Sequence, residues 1–596
     1  MNYENPLIVQ GDRSLLLDVH APLAEECRNA LIPFAELEKS PEHLHTYKLT
    51  PLSLWNAASA GFSADDAVNV LEKFARYDVP QSVIVWIKEV CNRFGKIRLL
   101  PYEQEEEDAT DQQKEQYLLL AANSEAIYKE IGANTAVKKY LNPAGSSTPS
   151  TPSTGSGSPD NSGSAGTTIK YSYLIKLTDR GTIKQLLLEA GWPVKDEVAL
   201  TDGEPLEFNL RETTAEGAPL VIRDYQVNAA KALVGDKGPG TGFGTIVLPC
   251  GSGKTIVGMQ IMDMLKTSTL IITTNISAVH QWIDELLDKT NLTRDDIAEY
   301  TGENKDIKPV TVATYQVLTW RPDKEGPFPH FSLFHERPWG LIIYDEVHML
   351  PAPVFRVVAE LQAVRRVGLT ATLVREDGCE GYVFSLVGPK RYDVPWKELE
   401  RDNWIASAEC VEVRIDLPMS AEIEYAVAGA REKHKIASQN PDKLAVVSQI
   451  INKYPEDKIL VIGQYLDQLD QIAQLLKAPI ITGKTPTAER DRIYGEFRKG
   501  NIRVLVVSKV ANFAIDLPDA SLAIQVSGTF GSRQEEAQRL GRILRPKERT
   551  SRFFTLITRN TVEEEFSSNR QKFLAEQGYS YRIVRYGELS DGGETL

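Results

Sequence analysis

From about residue 210 onward, short apolar runs alternate with stretches of helical periodicity. Ten of the runs have the length and composition of buried strands; they lie at Thr245–Leu248, Thr269–Ile272, Thr311–Ala313, Leu341–Tyr344, Val367–Leu369, Ile459–Ile462, Ile480–Ile481, Val504–Val507, Leu522–Val526 and Phe553–Ile557. Because helical stretches separate most of the runs, the pattern predicts parallel α/β units. There are enough strands for two sheets, so two lobes are expected, over residues 206–398 and 399–596.

The part of the chain before residue 206 has a different pattern. Residues 1–102 contain helix-start signals at Thr50-Pro51 and at Ser63, which predict a helical N-terminal domain. Residues 115–205 combine a strand-like run with two helix-like runs and predict a small α/β module. Within this module, 21 of the 25 residues from 143 to 167 are Gly, Ser, Thr or Pro, a composition that indicates a long loop insertion.

A glycine-rich segment, Leu248–Thr255, lies between a predicted strand and a helical run. In this context the backbone amides and the helix N-terminus bind phosphate, and a lysine reaches the β- and γ-phosphates. A hydroxyl at the last position of the loop is a ligand for Mg²⁺. The predicted nucleotide-binding residues of the loop are Gly251, Ser252, Gly253, Lys254 and Thr255.

A second chemical signal ends the apolar run at 341–344, which continues into Asp345, Glu346, Val347 and His348. Asp345 is predicted to hold Mg²⁺ together with Thr255. Glu346 is predicted to polarise the water that attacks the γ-phosphate. Lys254, Asp345 and Glu346 are therefore candidate catalytic residues.

Two further segments are typical of a motor rather than of a simple nucleotide hydrolase, and a third concerns the choice of nucleotide. Thr370 and Thr372 supply hydroxyls that can bond His348 and relay the nucleotide state between the lobes. Downstream, three residues share one helical face and include two candidate arginine fingers; they are Gln538, Arg542 and Arg545. Upstream, Arg223 and Gln226 open a helix, and the Gln226 amide can read the edge of adenine, which favours ATP.

In this order the motifs resemble those of superfamily 2 helicases, and more narrowly those of the XPB family of DNA repair helicases. The narrower resemblance depends on segments that extend the common motifs; they are Asp345–Ala352, Phe355-Arg356, Leu369–Gly378, Ile515–Pro518 and Gly531–Arg545. The N-terminal part looks like that of bacterial XPB proteins. The motifs cover residues 205–560.

The resemblance implies two RecA-like lobes with ATP and Mg²⁺ between them and 3′→5′ movement that opens single-stranded or forked DNA in repair. Asp516 would lie in the nucleotide site. Arg375, Glu376 and Asp377 would form the family's strand-separating R-E-D element. The module at 115–205 would correspond to its damage-recognition domain. The resemblance also implies a monomeric motor with a nuclease as a possible partner.

Polar residues that follow predicted strands are candidates for contact with DNA. A translocating motor grips the sugar–phosphate backbone, because it moves over any sequence. The candidates are Thr273, Thr274, Asn275, Thr314, Tyr315, Gln464, Ser508 and Lys509.

The amino-acid composition and the charge exclude several classes of protein. The chain has 596 residues with 42% hydrophobic and 25% charged residues, as expected of a globular protein without membrane spans. The net charge of −15 excludes bulk positive charge as the means of binding nucleic acid. This charge comes from residues 1–400, which carry 39 basic and 55 acidic residues, whereas 401–596 carry 28 and 27. Five scattered cysteines and the absence of a signal-like N-terminus predict a cytoplasmic protein.

Two alternative functions stay open at this point. The protein could be a motor that acts on nucleic acid in another way, either a double-strand DNA translocase that never separates strands or an RNA motor. It could also be a scaffold that recruits a nuclease and uses ATP only as a switch.

Overall fold

The structure is a computed structural model of the chain. It describes residues 4–31, 33–39, 43–102, 117–143, 169–238, 241–249, 251–323, 328–350, 354–355, 358, 364–371, 380–394, 396–401, 404, 407–508, 520–528, 550–576 and 581–589.

The N-terminal region combines helices with a small antiparallel sheet. Its helices are α1 (Ala24–Leu31), α2 (Pro51–Ser59), α3 (Ala64–Phe74) and α4 (Gln81–Arg93). Its strands are β1 (Leu7–Val9), β2 (Ser14–Asp18), β3 (Glu36–Lys39) and β4 (Leu44–Lys48), in the order β1-β2-β4-β3. Both predicted helix starts are confirmed, since the side chains of Thr50 and Ser63 cap α2 and α3. The sequence pattern does not predict the sheet.

A five-stranded sheet forms the small α/β module. Its strands are β5 (Ile97–Pro101), β6 (Tyr117–Ala122), β7 (Asn142–Pro143), β8 (Ser172–Lys176) and β9 (Val194–Asp196), in the order β7-β8-β6-β5-β9. Its helices are α5 (Glu125–Ala133), α6 (Thr135–Lys138) and α7 (Arg180–Glu189), with a 3₁₀ turn at Leu177–Asp179. Residues 144–168, which include all of the insertion except Pro143, lie outside the described residues. The strands that flank them, β7 and β8, pair with each other, so the insertion connects neighbouring strands of one sheet.

The first lobe contains a seven-stranded sheet in which all neighbouring strands are parallel. Its strands are β10 (Phe243–Val247), β11 (Thr269–Thr273), β12 (Ile297–Tyr300), β13 (Val310–Thr314), β14 (Leu341–Asp345), β15 (Arg365–Thr370) and β16 (Lys390–Asp393). The order is β12-β13-β11-β14-β15-β10-β16. Its helices are α8 (Asp224–Val234), α9 (Lys254–Leu265), α10 (Ile276–Lys289), α11 (Tyr315–Thr319), α12 (Glu380–Tyr382) and α13 (Trp396–Arg401). Because the strands are parallel, their carboxyl ends meet at one edge, where ligands bind in open α/β sheets.

The second lobe repeats this architecture with seven parallel strands. They are β17 (Ala408–Ile415), β18 (Ile459–Gly463), β19 (Ile480–Ile481), β20 (Val504–Ser508), β21 (Leu522–Gln525), β22 (Ser551–Thr558) and β23 (Tyr581–Arg585), in the order β19-β20-β18-β21-β22-β17-β23. Its helices are α14 (Met419–Val427), α15 (Ala430–Ser438), α16 (Asp442–Lys453), α17 (Leu466–Leu476), α18 (Thr487–Lys499) and α19 (Val562–Glu576). The predicted fold class of two parallel-sheet lobes is confirmed.

A buried ion cluster joins the small α/β module to the first lobe. Arg180 and Lys184 of α7 both pair with Asp196, at N–O distances of 2.8 and 3.0 Å. Lys184 also lies 5.5 Å from the ring centre of Phe243, and the Arg366 guanidinium lies 4.8 Å from the same ring. The cluster therefore packs against the first residue of β10 and the second residue of β15.

Candidate functional site

The glycine-rich loop connects β10 to α9, as the sequence predicts. Its first residue is tied to the neighbouring strand, because the Leu248 N–H donates to the Thr370 carbonyl at 2.9 Å. Gly251 and Gly253 have φ angles of 78° and 82°, in the left-handed region that side chains disfavour. Helix α9 starts at Lys254, and the N–H groups of a first helical turn make no bond within their helix. The loop thus places a helix N-terminus at the end of a buried strand, an arrangement that binds phosphate.

Two side chains of α8 hold one carbonyl of this loop. Tyr225 Oη and Gln226 Nε2 donate to the Ser252 carbonyl oxygen at 2.5 and 2.9 Å. In a trans peptide the carbonyl and the following N–H point in opposite directions. The two donors therefore turn the Gly253 N–H away from α8, and Tyr225 gains a role that the sequence did not assign to it. Gln226 Oε1 accepts from the Arg223 N–H at 2.9 Å, and adenine reading by Gln226 stays a prediction.

We expect Gly253→Ala to weaken ATP binding about 5- to 150-fold, because a strained backbone costs about 1–3 kcal/mol. Residue 253 needs a positive φ, and a Cβ there would lie 2.5 Å from Gln226 Nε2. Gly302→Ala is the matched control, since a Cβ at Gly302 meets nothing within 4 Å. Equilibrium binding of a fluorescent ATP analogue measures the effect. Equal affinity in the two variants would contradict this account of the loop.

The carboxylate of Glu346, which directly follows β14, faces the loop. Glu346 Oε1 lies 3.4 Å from Lys254 Nζ, and Glu346 Oε2 lies 3.4 Å from His348 Nδ1. Glu346 has φ 49° and ψ 54°, a left-handed conformation that is strained for a residue with a side chain and that occurs at functional sites. The structure thus brings together Lys254 and Glu346, which lie on different strand–loop units of one sheet.

Asp345 is held by residues from the neighbouring strand β11 and from helices α10 and α11. Trp282 Nε1 donates to Asp345 Oδ2 at 2.9 Å, the Thr273 hydroxyl donates to the same oxygen at 3.3 Å, and the Tyr315 hydroxyl donates to the Asp345 carbonyl at 3.0 Å. Burial and the neighbouring Glu346 carboxylate raise the pKa of Asp345 to about 6. Sequence reasoning missed Trp282, because no local motif links it to a residue so distant along the chain.

His348 contacts the end of the next strand, as predicted. Its Nδ1 lies 2.7 Å from the Thr370 hydroxyl, and both side chains are buried. Thr370 is also the residue whose carbonyl accepts from the Leu248 N–H. The strand end at Thr370 therefore contacts both the glycine-rich loop and the segment that carries Glu346.

The donor set fits a nucleotide with a divalent cation. The loop has N–H groups and Lys254 of the kind that bind phosphate, and Asp345 and the half-buried Thr255 carry oxygen atoms of the kind that would hold Mg²⁺. Asp345 lies with its side chain fixed by Trp282 and Thr273, as a metal-binding carboxylate requires.

The residues predicted to contact DNA divide into two groups. Thr273, Thr314 and Tyr315 are buried, and their hydroxyl groups bond within the lobe. Thr274 and Asn275 are half-buried at the start of α10, where Asn275 Oδ1 caps the helix by accepting from the Ala278 N–H.

In the second lobe, Gln464 directly follows β18, and Ser508 is the last residue of the adjacent strand β20. Gln464 is half-buried, Ser508 is buried, and Gln464 N–H donates to Ser527 Oγ at 2.8 Å. The remaining predicted site residues lie outside the described residues; they are Thr372, Arg375, Glu376, Asp377, Lys509, Asp516, Gln538, Arg542 and Arg545.

Comparisons with known families cover both lobes and the N-terminal region. Residues 399–594 match the family "ERCC3/RAD25/XPB C-terminal helicase", and residues 219–375 match "Type III restriction enzyme, res subunit". Residues 7–143 match "Helicase conserved C-terminal domain".

Curated relatives extend the similarity to the whole chain. The chain is 48% identical to the DNA 3′-5′ helicase XPB of Kineococcus radiotolerans, over 99% of this chain and 98% of that protein. It is 47% identical to the protein of the same name from Mycobacterium tuberculosis, over 97% and 98%. The general transcription and DNA repair factor IIH helicase/translocase subunit XPB/SSL2 of Saccharomyces cerevisiae is 32% identical, over 97% of this chain and 72% of that protein. The chain belongs to the XPB family of helicases.

Proposed function

We propose that this protein is an ATP-dependent DNA helicase that moves 3′→5′ and opens duplex DNA in repair. The observation that carries the proposal is the meeting of Lys254, Glu346 and His348 at one edge of a parallel sheet, in a chain with two such lobes. This is the arrangement of a phosphate loop, a hydrolytic carboxylate and a residue that senses the nucleotide state. The bacterial relatives are DNA 3′-5′ helicases, which supports DNA as the substrate and 3′→5′ as the polarity.

In the proposed mechanism, the amides of the loop and Lys254 bind the phosphates of the substrate ATP. Glu346 orients the attacking water or accepts a proton from it. When ATP binds, Glu346 exchanges its contact with Lys254 for this water, and Lys254 contacts the phosphates instead. Asp345 and Thr255 would hold Mg²⁺, which neutralises the charge that develops on the phosphate oxygens. The hydrogen bond between His348 and Thr370 couples the presence of ATP or its products in the site to the position of β15.

The second lobe completes the site in this proposal. Arg542 and Arg545 bind the γ-phosphate when the lobes close, while Gln538 and Asp516 contact the nucleotide; these roles come from the resemblance to the family. Closure and release then alternate with each ATP. The strand-end residues and the R-E-D element at 375–377 contact and separate the DNA strands.

An unwinding assay on duplexes with a single 3′ or 5′ tail tests the proposal. We expect ATP-dependent strand separation of the 3′-tailed duplex and not of the 5′-tailed duplex. Separation of the 5′-tailed duplex alone would overturn the polarity.

Parallel ATPase assays discriminate the alternatives. ATP hydrolysis stimulated by blunt duplex DNA without strand separation would identify a translocase, and greater stimulation by RNA of equal length would identify an RNA motor. Multiple-turnover phosphate release near zero with DNA present would favour a nuclease-recruiting scaffold.

Other features of the proposal concern location and partners. Among the described residues, no helix is long and apolar enough to cross a membrane. A cytoplasmic location, a monomeric motor, a nuclease partner and damage recognition by residues 115–205 are further parts of the proposal. Sedimentation of the protein with forked DNA measures the number of copies per fork.

A further inference from the structure

A cluster of aromatic side chains lies on the first lobe outside the nucleotide site. This aromatic patch consists of Tyr300, Trp320, Phe328, His330 and Phe331. The rings of Phe328 and Phe331 stack at 4.8 Å, and the His330 ring lies 5.8 Å from Trp320 and 5.7 Å from Tyr300. The Tyr300 hydroxyl and His330 Nδ1 are 2.9 Å apart, which fixes the imidazole between the two larger rings.

Trp320 leaves much of its ring in solvent, with 54% of the residue exposed. Three other tryptophans are buried, namely Trp55, Trp282 and Trp339, and Trp320 is more exposed than the half-buried Trp86, Trp192 and Trp404. A large exposed aromatic side chain that is held by neighbouring rings indicates a binding surface rather than a core position.

The patch lies at the same edge of the sheet as the nucleotide site. Tyr300 is the last residue of β12, and Trp320 directly follows α11, which itself follows β13. Four strand spacings separate β13 from β10, so the patch lies about 19 Å along this edge from the phosphate loop. The first residue of α11, Tyr315, bonds the Asp345 carbonyl. The short helix thus connects the patch directly to the acidic end of β14.

Two cations border the aromatic rings. The Arg321 guanidinium lies 4.9 Å from the ring centre of Phe328, and Lys305 Nζ lies 5.3 Å from that of Tyr300. Arg321 is exposed and follows Trp320 directly in the chain. Flat rings beside positive charge are complementary to a chain of bases joined by phosphates.

We propose that the aromatic patch binds unpaired bases of single-stranded DNA, with Trp320 as the stacking surface and Arg321 as a phosphate contact. The inference rests on the proposed function and adds a base-stacking site to it. Stacking is compatible with movement over any sequence, because every base has a π-face. None of the residues predicted from the sequence to contact DNA belongs to this patch.

The first test compares three variants of the full-length protein for binding to a fluorescent single-stranded oligonucleotide. We expect Trp320→Ala to weaken binding about 5- to 150-fold, and Trp320→Phe to retain most of the affinity, because base–aromatic stacking has this magnitude. Tyr77→Ala is the matched control, since Tyr77 is an aromatic residue of the N-terminal region that is 44% exposed. This control should bind like the wild type.

A second measurement separates stacking from charge. The salt dependence of binding should be unchanged in Trp320→Ala, whereas Arg321→Ala should lose about 0.7 from the slope of log K against log salt. A 2-aminopurine base in the oligonucleotide should change its fluorescence on binding to the wild type and not on binding to Trp320→Ala.

The outcomes distinguish this inference from the proposed function. If Trp320→Ala binds the oligonucleotide as tightly as the wild type does, the patch is not a base site, and a protein partner becomes its occupant. If the wild type itself binds no DNA and DNA does not stimulate its ATPase, the proposed function fails as well. ATP hydrolysis without DNA should be equal in all three variants, because none of the replaced residues contacts the nucleotide site.

Discussion

Replacing Glu346 by glutamine should lower the kcat of ATP hydrolysis about 10²- to 10⁴-fold, the usual contribution of a positioned general base. The amide keeps the shape of the side chain, so the contact with Lys254 weakens without a cavity or a change of backbone. ATP affinity should stay within a few-fold of the wild type, since the amides and Lys254 still bind phosphate. Lys254→Ala should instead lose both affinity and hydrolysis. Phosphate release with saturating DNA and binding of a fluorescent ATP analogue measure the two quantities.

Glu299→Gln is the matched control for this prediction. Glu299 also lies near the carboxyl end of a parallel strand in the same sheet, and its side chain is 16% exposed, against 20% for Glu346. It pairs with His280 at 3.3 Å, away from the phosphate loop, so its amide variant should hydrolyse ATP normally. DNA-stimulated hydrolysis near the wild-type rate in Glu346→Gln would show that another residue activates the water.

The hydrophobic pattern predicts interior strands better than edge strands. The ten predicted strands are all present, and each has a continuous apolar run because both faces of a parallel sheet are buried. The pattern misses β12 and β16, which are the two edges of the first sheet, together with edge strand β23 and its neighbour β17 in the second. Charged residues interrupt the apolar sequence of these four strands, as in the Lys390–Asp393 strand, so none of them has the continuous apolar run by which the others are recognised.

The antiparallel sheet of the N-terminal region is missed for a related reason. Its strands have three to five residues, and β3 carries Glu36 and Lys39 in a segment of four. A strand this short presents one or two apolar residues to the core, which is too few to establish a period of two. The capped helices beside it are recognisable, because Thr50 and Ser63 give a local signal that does not depend on packing.

At the nucleotide site too, the sequence predicts what a local motif encodes and misses what depends on residues distant in the chain. The phosphate loop and the Asp345-Glu346 pair are local motifs, so the sequence predicts them together with their strands. The side chains that orient them come from elsewhere in the chain: Tyr225 holds the loop, and Trp282 holds Asp345. Neither residue type is diagnostic of such a role, and only the fold brings them within hydrogen-bonding distance.

The buried ion cluster allows a strong prediction about stability. Asp196 accepts two hydrogen bonds from Arg180, at 3.0 and 2.8 Å, and one from Lys184 at 3.0 Å, and these cations hold its pKa well below the usual range. Asp196→Asn leaves buried positive charge without its carboxylate, which typically costs about 3–5 kcal/mol. We expect the small α/β module to unfold at a lower temperature and to become sensitive to proteolysis, measured by thermal denaturation and limited trypsin digestion.

The pH dependence of the stability of Asp196→Asn shows whether the variant is destabilised by the loss of the carboxylate charge or by a change in packing. Burial lowers the pKa of Lys184 to about 7, far below its value in an unfolded chain, and removing Asp196 should lower it further. The folded variant then binds fewer protons than the unfolded one from below pH 7 up to about 10.5, so its stability rises with pH in that range. The difference in the free energy of unfolding between the variant and the wild type should be largest near pH 5.5. It should be smaller at pH 8.5, where Lys184 is neutral in both proteins. Part of the difference in stability remains at high pH, because the buried Arg180 side chain has also lost its carboxylate partner.

Glu197→Gln is the matched control for this charge effect, because Glu197 follows Asp196 directly and also pairs with two cations, Arg98 and Lys195. Those cations are about half exposed, and surface ion pairs contribute about 0–1 kcal/mol, so the melting temperature should change little at either pH. If Asp196→Asn lowers the free energy of unfolding by the same amount at both pH values, the carboxylate stabilises the module through packing alone. Equal stability of the two variants would mean that the Asp196 carboxylate contributes little to the stability of the module.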